Sequence, residues 1–187
     1  MFISILPIVM NFNLIKIRLK IMFYSIFGKI GDNFSKIRFP SQDNIKKVII
    51  FFPLDEDSFR VSLYSFRKFN FYNTNVSYYF IINHEFRNLI NLTGPNLVYV
   101  NYNRNKIKWC DMNDKHNIIN QSSIDMVIDL NQELCFDLAK FINQLNSNIK
   151  IGFKSIYSDY FYNIQIDIGE NGIVENGFNK IQQILRS

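Results

Sequence analysis

The sequence predicts an α/β domain built on a doubly wound, mainly parallel sheet with helices on both faces, preceded by a basic hydrophobic leader. Three observations carry this. Short continuous apolar runs recur from Val48 onward, as in strands buried on both faces. Between them lie stretches whose apolar residues repeat every three or four positions, the period of a helix. The 187 residues, 48% of them hydrophobic, suffice for one sizeable core and are too few for two ordinary ones.

In chain order, Val48 to Phe52 is the first strand, ended by Pro53. Asp55, Glu56 and Asp57 then open a helix on which Phe59, Leu63 and Phe66 share a face. Val76 to Ile82 is the second strand, followed by a helix near Glu85 to Leu92 that Gly94-Pro95 stops. Leu97 to Asn101 is the third strand, and the polar stretch from Tyr102 to Gln121 is expected to be a long connection with a short helix in it. Met126 to Leu130 is the clearest strand of all, and the helix behind it is expected to bury Leu134, Leu138, Phe141 and Leu145. Ile149 to Phe153 and Tyr162 to Ile168 are further strands, and a closing helix aligns Val174, Phe178, Ile181 and Leu185. Strands separated by helical connections imply right-handed crossovers and hence a Rossmann-like sheet over residues 32–187.

Charge is unevenly placed along the chain. Residues 1–31 contain Lys16, Arg18, Lys20 and Lys29 and no acid, which leaves 17 basic against 16 acidic residues from Asp32 onward. The pI of 9.1 therefore reflects the leader, and no nucleic-acid partner is expected of the nearly neutral remainder. The leader's apolar run is broken by Asn11, Asn13 and its cations, too early to span a bilayer. Its charge follows the apolar run, the reverse of a signal peptide. Two readings stay open for it: a helix packed on the domain, or an amphipathic segment at an anionic membrane surface. Cys110 and Cys135 are expected as reduced thiols of a cytoplasmic protein, peripheral to the inner face of the membrane if the leader is an anchor. The four Asn-x-Ser/Thr sequons, at Asn33, Asn75, Asn91 and Asn120, are the chance product of an Asn-rich chain.

A doubly wound sheet binds ligands beyond the carboxyl ends of its strands, which directs attention to Pro53 to Ser58, Asn83 to Glu85 and Asn131 to Glu133. None carries a phosphate-binding glycine motif, so no cofactor is expected. The acids of the first loop complement the helix dipole themselves and would repel a pyrophosphate. Helix capping is their plain role, and a catalytic base among Asp57 and Asp55 is the sharper one. His84, Asn131 and Glu133 are the candidate binding residues of those loops. Cys110, Asp111, Asp114 and His116 lie close in sequence but match no zinc-ligand spacing, so no metal is expected.

The segment from Ser122 to Asp167, with its Val127 to Leu130 strand end and Ile151-Gly152-Phe153, followed by the helix start at Val174-Glu175, resembles the N-terminal domain of the ADP-heptose:lipopolysaccharide heptosyltransferases, family 9 of the glycosyltransferases. The resemblance extends over about residues 46–186. It implies the acceptor-side half of a two-domain transferase of lipopolysaccharide biosynthesis, with a general base near Asp57. That family carries a Gly-Asp pair after its first strand, where this chain has PLDEDSF, and continues into a donor-binding domain beyond the point where this sequence ends. Three functions follow as expectations. The chain is a glycosyltransferase-like module, inactive alone, that binds a glycan, a lipid-linked acceptor or another partner; or it is part of an active enzyme completed by a donor-binding domain or partner chain; or it is a peripheral membrane or assembly protein.

Overall fold

The computed structural model describes residues 12–26, 45–71, 75–103, 106–115, 124–169 and 172–186. The chain divides into two units, Met1–Gly31 and Asp32–Ser187. In the first, α1 (Phe12–Ile26) is the described element. Ile15, Leu19, Met22 and Phe23 fall along one side of it and are all exposed. Lys16 and Lys20 flank that stripe on one side and Arg18 on the other. No helix among the described residues is long and apolar enough to cross a membrane.

In the second unit the order is β1 (Lys47–Phe51), α2 (Glu56–Phe66), β2 (Ser77–Asn83), a 3-10 turn (His84–Leu89), β3 (Asn96–Asn103) and β4 (Lys106–Trp109). Then come α3 (Met112–Lys115), β5 (Ile124–Asp129), α4 (Phe136–Gln144), β6 (Ser147–Phe153), a second 3-10 turn (Ser158–Tyr160), β7 (Ile164–Ile166) and α5 (Val174–Arg186). The strands form one seven-stranded sheet in the order β4-β3-β2-β1-β5-β6-β7. Every neighbouring pair is parallel except β3 with β4. The expected α/β, Rossmann-like architecture is therefore present.

The central strands are buried on both faces, which is why their sequences run apolar without alternation. On one face Val48, Ile50, Phe52, Phe80, Met126 and Ile128 pack with Phe59 and Phe66 of α2 and Phe178 and Ile181 of α5. Phe52 lies at its centre, its ring 4.8 Å from that of Phe80 and 5.7 Å from that of Phe59; burying one such side chain contributes about 1.5–3 kcal/mol. The Gln182 amide on α5 donates to Ser65 O at 2.8 Å and ties α5 to α2. On the other face α4 buries Leu138, Ala139 and Ile142, and Phe141 meets Phe51 edge-on with ring centroids 6.0 Å apart.

Four expectations of local structure need correction. The helix expected near Glu85 to Leu92 is a 3-10 turn ending at Leu89, with Ile90 already extended. The connection from Asn83 to Asn96 is short, and the tighter 3-10 form is frequent in such connectors. The connection from Tyr102 to Gln121 contains, besides the short helix α3, the strand β4, which folds back antiparallel on β3 with Tyr102 opposite Ile107. Strand β7 covers Ile164–Ile166 only, inside the broader span expected. Helix α4 is shorter than its apolar pattern, so Leu134 precedes it and Leu145 is its C-cap.

Candidate functional site

From β1 the chain moves outward through β2 to β4, and from β5 it moves the other way through β6 to β7. The loops that leave these two adjacent strands thus diverge, and a crevice opens between them at the carboxyl edge of the sheet. Leu130 N still donates to Phe51 O at 3.0 Å, so the strands are locked together up to the crevice floor. Beyond that floor lies a cleft of about 350 Å³ lined by Asp55, Ser58, Asn131, Gln132 and Glu133.

Asp55 is the N-cap of α2, with Oδ1 accepting from Ser58 N at 2.8 Å. One of the unpaired N–H groups at the positive end of this helix is thereby satisfied within the protein. Asn131 bridges the two loops: its Oδ1 accepts from Leu54 N at 3.0 Å, while its Nδ2 and its backbone N–H donate to Asp129 Oδ1 at 2.7 and 2.9 Å. The other oxygen of Asp129 accepts from the Tyr162 hydroxyl at 2.5 Å. Asp129 is 2% exposed and Tyr162 3%. Burial pushes the Asp129 carboxyl above its usual range, against the opposing pull of the Tyr162 and Asn131 hydrogen bonds. Burial, then the neighbouring Asp129 charge, pushes the Tyr162 phenol well up.

Tyr162 reaches Asp129 because position 152 has no side chain. A Cβ on Gly152 would lie 2.5 Å from Tyr162 Cδ2 and 2.6 Å from Cε2. Cys135, the N-cap of α4, lies 2.6 Å from the Tyr102 hydroxyl. Burial raises the pKa of both groups, so thiol and phenol are neutral near pH 7.

The structure thus brings Asp55, Asn131 and Glu133 of the expected site residues to one cleft. Asp57 is exposed in the first turn of α2 and is not among the residues lining that cleft. His84 stands at the end of β2, its Nε2 3.0 Å from an Arg87 nitrogen and its ring edge-on to Tyr99, also outside the cleft lining. Ser58 and Gln132 lie inside the expected loops, and only the geometry singles them out; their side chains are 3.5 Å apart. Asp129 carries no sequence signal beyond its place at a strand end, and Tyr162 has none, being 33 residues away along the chain. Of the close-spaced group at Cys110, Asp111 caps α3 by accepting from Asn113 N at 2.8 Å, and His116 lies outside the described residues.

The cleft offers two carboxylates, two primary amides and a hydroxyl, with no cation among the described residues of its lining. Such a set accepts hydrogen bonds from hydroxyl groups and gives a few back. It is unsuited to a pyrophosphate, which the carboxylates would repel.

A doubly wound sheet with a polar cleft at its switch point defines a Rossmann-like domain with a candidate ligand site. Among solved structures this domain is similar to E. coli heptosyltransferase WaaC with ADP and to the same enzyme with ADP-2-deoxy-2-fluoro heptose, each at 14% identity and a TM-score of 0.56. The match covers 74% of this chain but only 46% and 47% of those chains. The chain therefore has the fold of a partial heptosyltransferase domain and spans about half the length of the enzyme it matches. No protein-family model matches the sequence, and no curated protein matches it.

Proposed function

We propose that this chain is the acceptor-side part of a glycosyltransferase-type site of lipopolysaccharide assembly, binding a glycan through the switch-point cleft and transferring no sugar by itself. The observation that carries the proposal is the lining of that cleft: Asp55, Glu133, Asn131, Gln132 and Ser58, without a cation among the described residues, at the position where open α/β sheets hold their ligands. A hydroxyl-rich acceptor satisfies this set, whereas a nucleotide diphosphate meets carboxylates. Transfer then needs a donor-binding domain or partner chain that holds the nucleotide sugar against the cleft, because positioning two substrates together can be worth about 7–11 kcal/mol of barrier. Asp55 and Glu133 are the carboxylates placed to accept a proton from an acceptor hydroxyl. Asp57 remains a base candidate only if a bound acceptor extends past the N-cap of α2.

The test is a titration of the isotope-labelled full chain with a truncated lipopolysaccharide core oligosaccharide and, separately, with ADP. Saturable shifts at the Asn131 and Gln132 side-chain amides with the oligosaccharide, abolished by E133Q combined with N131A, are expected. Saturable ADP binding at the same amides would overturn the reading.

The exposed stripe on α1 favours a second element of function, that the leader rests on an anionic membrane surface. Four large apolar side chains face outward between cations, the pattern of an interfacial helix. Each cation near such a surface contributes about 1 kcal/mol.

A further inference from the structure

Along the outer face of α2 runs a second, smaller depression of about 160 Å³, lined by Arg60, Leu63, Tyr64 and Arg67 of α2 and by Leu89 and Asn91 of the segment that follows β2. Its chemistry is the opposite of the switch-point cleft. No acidic side chain lines it among the described residues. Arg60, Tyr64 and Arg67 follow one another at four and three residues, so they stand in a row on one helix face. Tyr64 is 66% exposed, so its hydroxyl is accessible from solvent.

The two guanidinium groups are differently held. Glu56 takes Nε and Nη2 of Arg60 through a single oxygen, at 2.9 and 2.6 Å, which fixes the plane of the group and leaves Nη1 uncommitted. The Arg67 side chain makes no hydrogen bond or ion pair among the described residues, although its backbone N–H caps α2 by donating to Tyr64 O. Placement at the negative end of the helix dipole accounts for a cation at Arg67, and the i,i+4 pair with Glu56 accounts for one at Arg60. The floor is apolar, with Leu63 and Leu89 packed against the core. Asn91 adds an amide to the lining.

We propose that this depression binds a phosphate group, with Arg67 as its principal contact and Arg60, Tyr64 and Asn91 completing the donor set. A guanidinium presents a planar fork of N–H donors that matches phosphate oxygens, and two of them with a phenol and an amide supply donors from several directions. The small volume admits a phosphate carried by a small molecule or a single headgroup. This inference does not depend on the glycan reading of the other cleft.

The experiment follows the Arg60 and Arg67 Nε–Hε resonances of the labelled full chain during titration with inorganic phosphate at constant ionic strength, with chloride as control. A parallel titration uses short-chain phosphatidic acid below its aggregation limit. Saturable shifts of both arginines are expected, with R67Q and R60Q each weakening binding by about tenfold or more, while R87Q, at an arginine engaged with His84, leaves it unchanged. Binding of inorganic phosphate marks a soluble phosphate as the source; binding of phosphatidic acid alone marks a lipid headgroup. Absence of saturation by either probe overturns the proposal, as does saturation that R67Q leaves untouched in a variant whose circular dichroism matches the wild type.

Discussion

Replacing Gly152 by alanine tests the link between backbone and cleft most directly. The new Cβ would sit 2.5, 2.6 and 2.8 Å from three ring atoms of Tyr162, where ordinary contact is 3.4–4 Å, so the ring must withdraw by about 1 Å. Overpacking of this kind costs about 1–3 kcal/mol. The withdrawal also takes the Tyr162 hydroxyl out of reach of Asp129 Oδ2, now 2.5 Å away, and leaving a buried polar group without its partner costs about 1–3 kcal/mol. The expected destabilisation is therefore about 2–6 kcal/mol in urea unfolding. A double-mutant cycle separates the two parts. In a Y162A background the clash and the hydrogen bond are both gone, and G152A should cost less than about 1 kcal/mol. In a Y162F background only the clash remains. If G152A lies within about 1 kcal/mol of wild type, or costs as much with Y162A as without it, the assignment of Gly152 to the Tyr162 ring is wrong.

Because burial raises the Asp129 carboxyl pKa, the folded state favours its protonated form, so its contribution to stability is fully present below about pH 3.9 and is lost as pH rises through its folded value. The stability of wild type relative to D129N should therefore fall between pH 4 and 7.5 in urea unfolding, and a rise would mean that the Asn131 and Tyr162 hydrogen bonds outweigh burial. Lys150 is 5% exposed, donates to Asn143 O at 2.7 Å, and has its pKa lowered by burial to about 8. Its stabilising contribution is present above its unfolded value of about 10.4 and is lost as pH falls through about 8, so K150M should cost more at pH 9.5 than at pH 7; equal costs would refute this. For α1, exchanging Leu19, Met22 and Phe23 for serine should abolish co-sedimentation with anionic liposomes and leave the melting temperature unchanged. A lowered melting temperature, with no liposome binding by the wild type, would instead identify those side chains as structural.

The strands of the sheet were legible in the sequence because the inner ones are buried on both faces. That condition demands apolar residues at every position, so Val48 to Phe52 and Met126 to Leu130 announce themselves locally. Strand β4 was not legible: Lys106 to Trp109 alternates polar and apolar residues and pairs on one side only, and it becomes a strand because β3 offers an open edge. The carboxyl-end rule, applied to the sequence, selected the three loops where ligands bind in such folds, and it could go no further. Which of their residues meet was decided by strand order, since placing β5 beside β1 draws Asn131 and Glu133 to Asp55 and leaves His84 at the end of the next strand, outside the cleft lining. The support behind them was beyond reach for the same reason. Tyr162 and Asp129 form one hydrogen bond across 33 residues of chain, through a space left by Gly152, and no local pattern encodes a contact that exists only when three separate segments pack together.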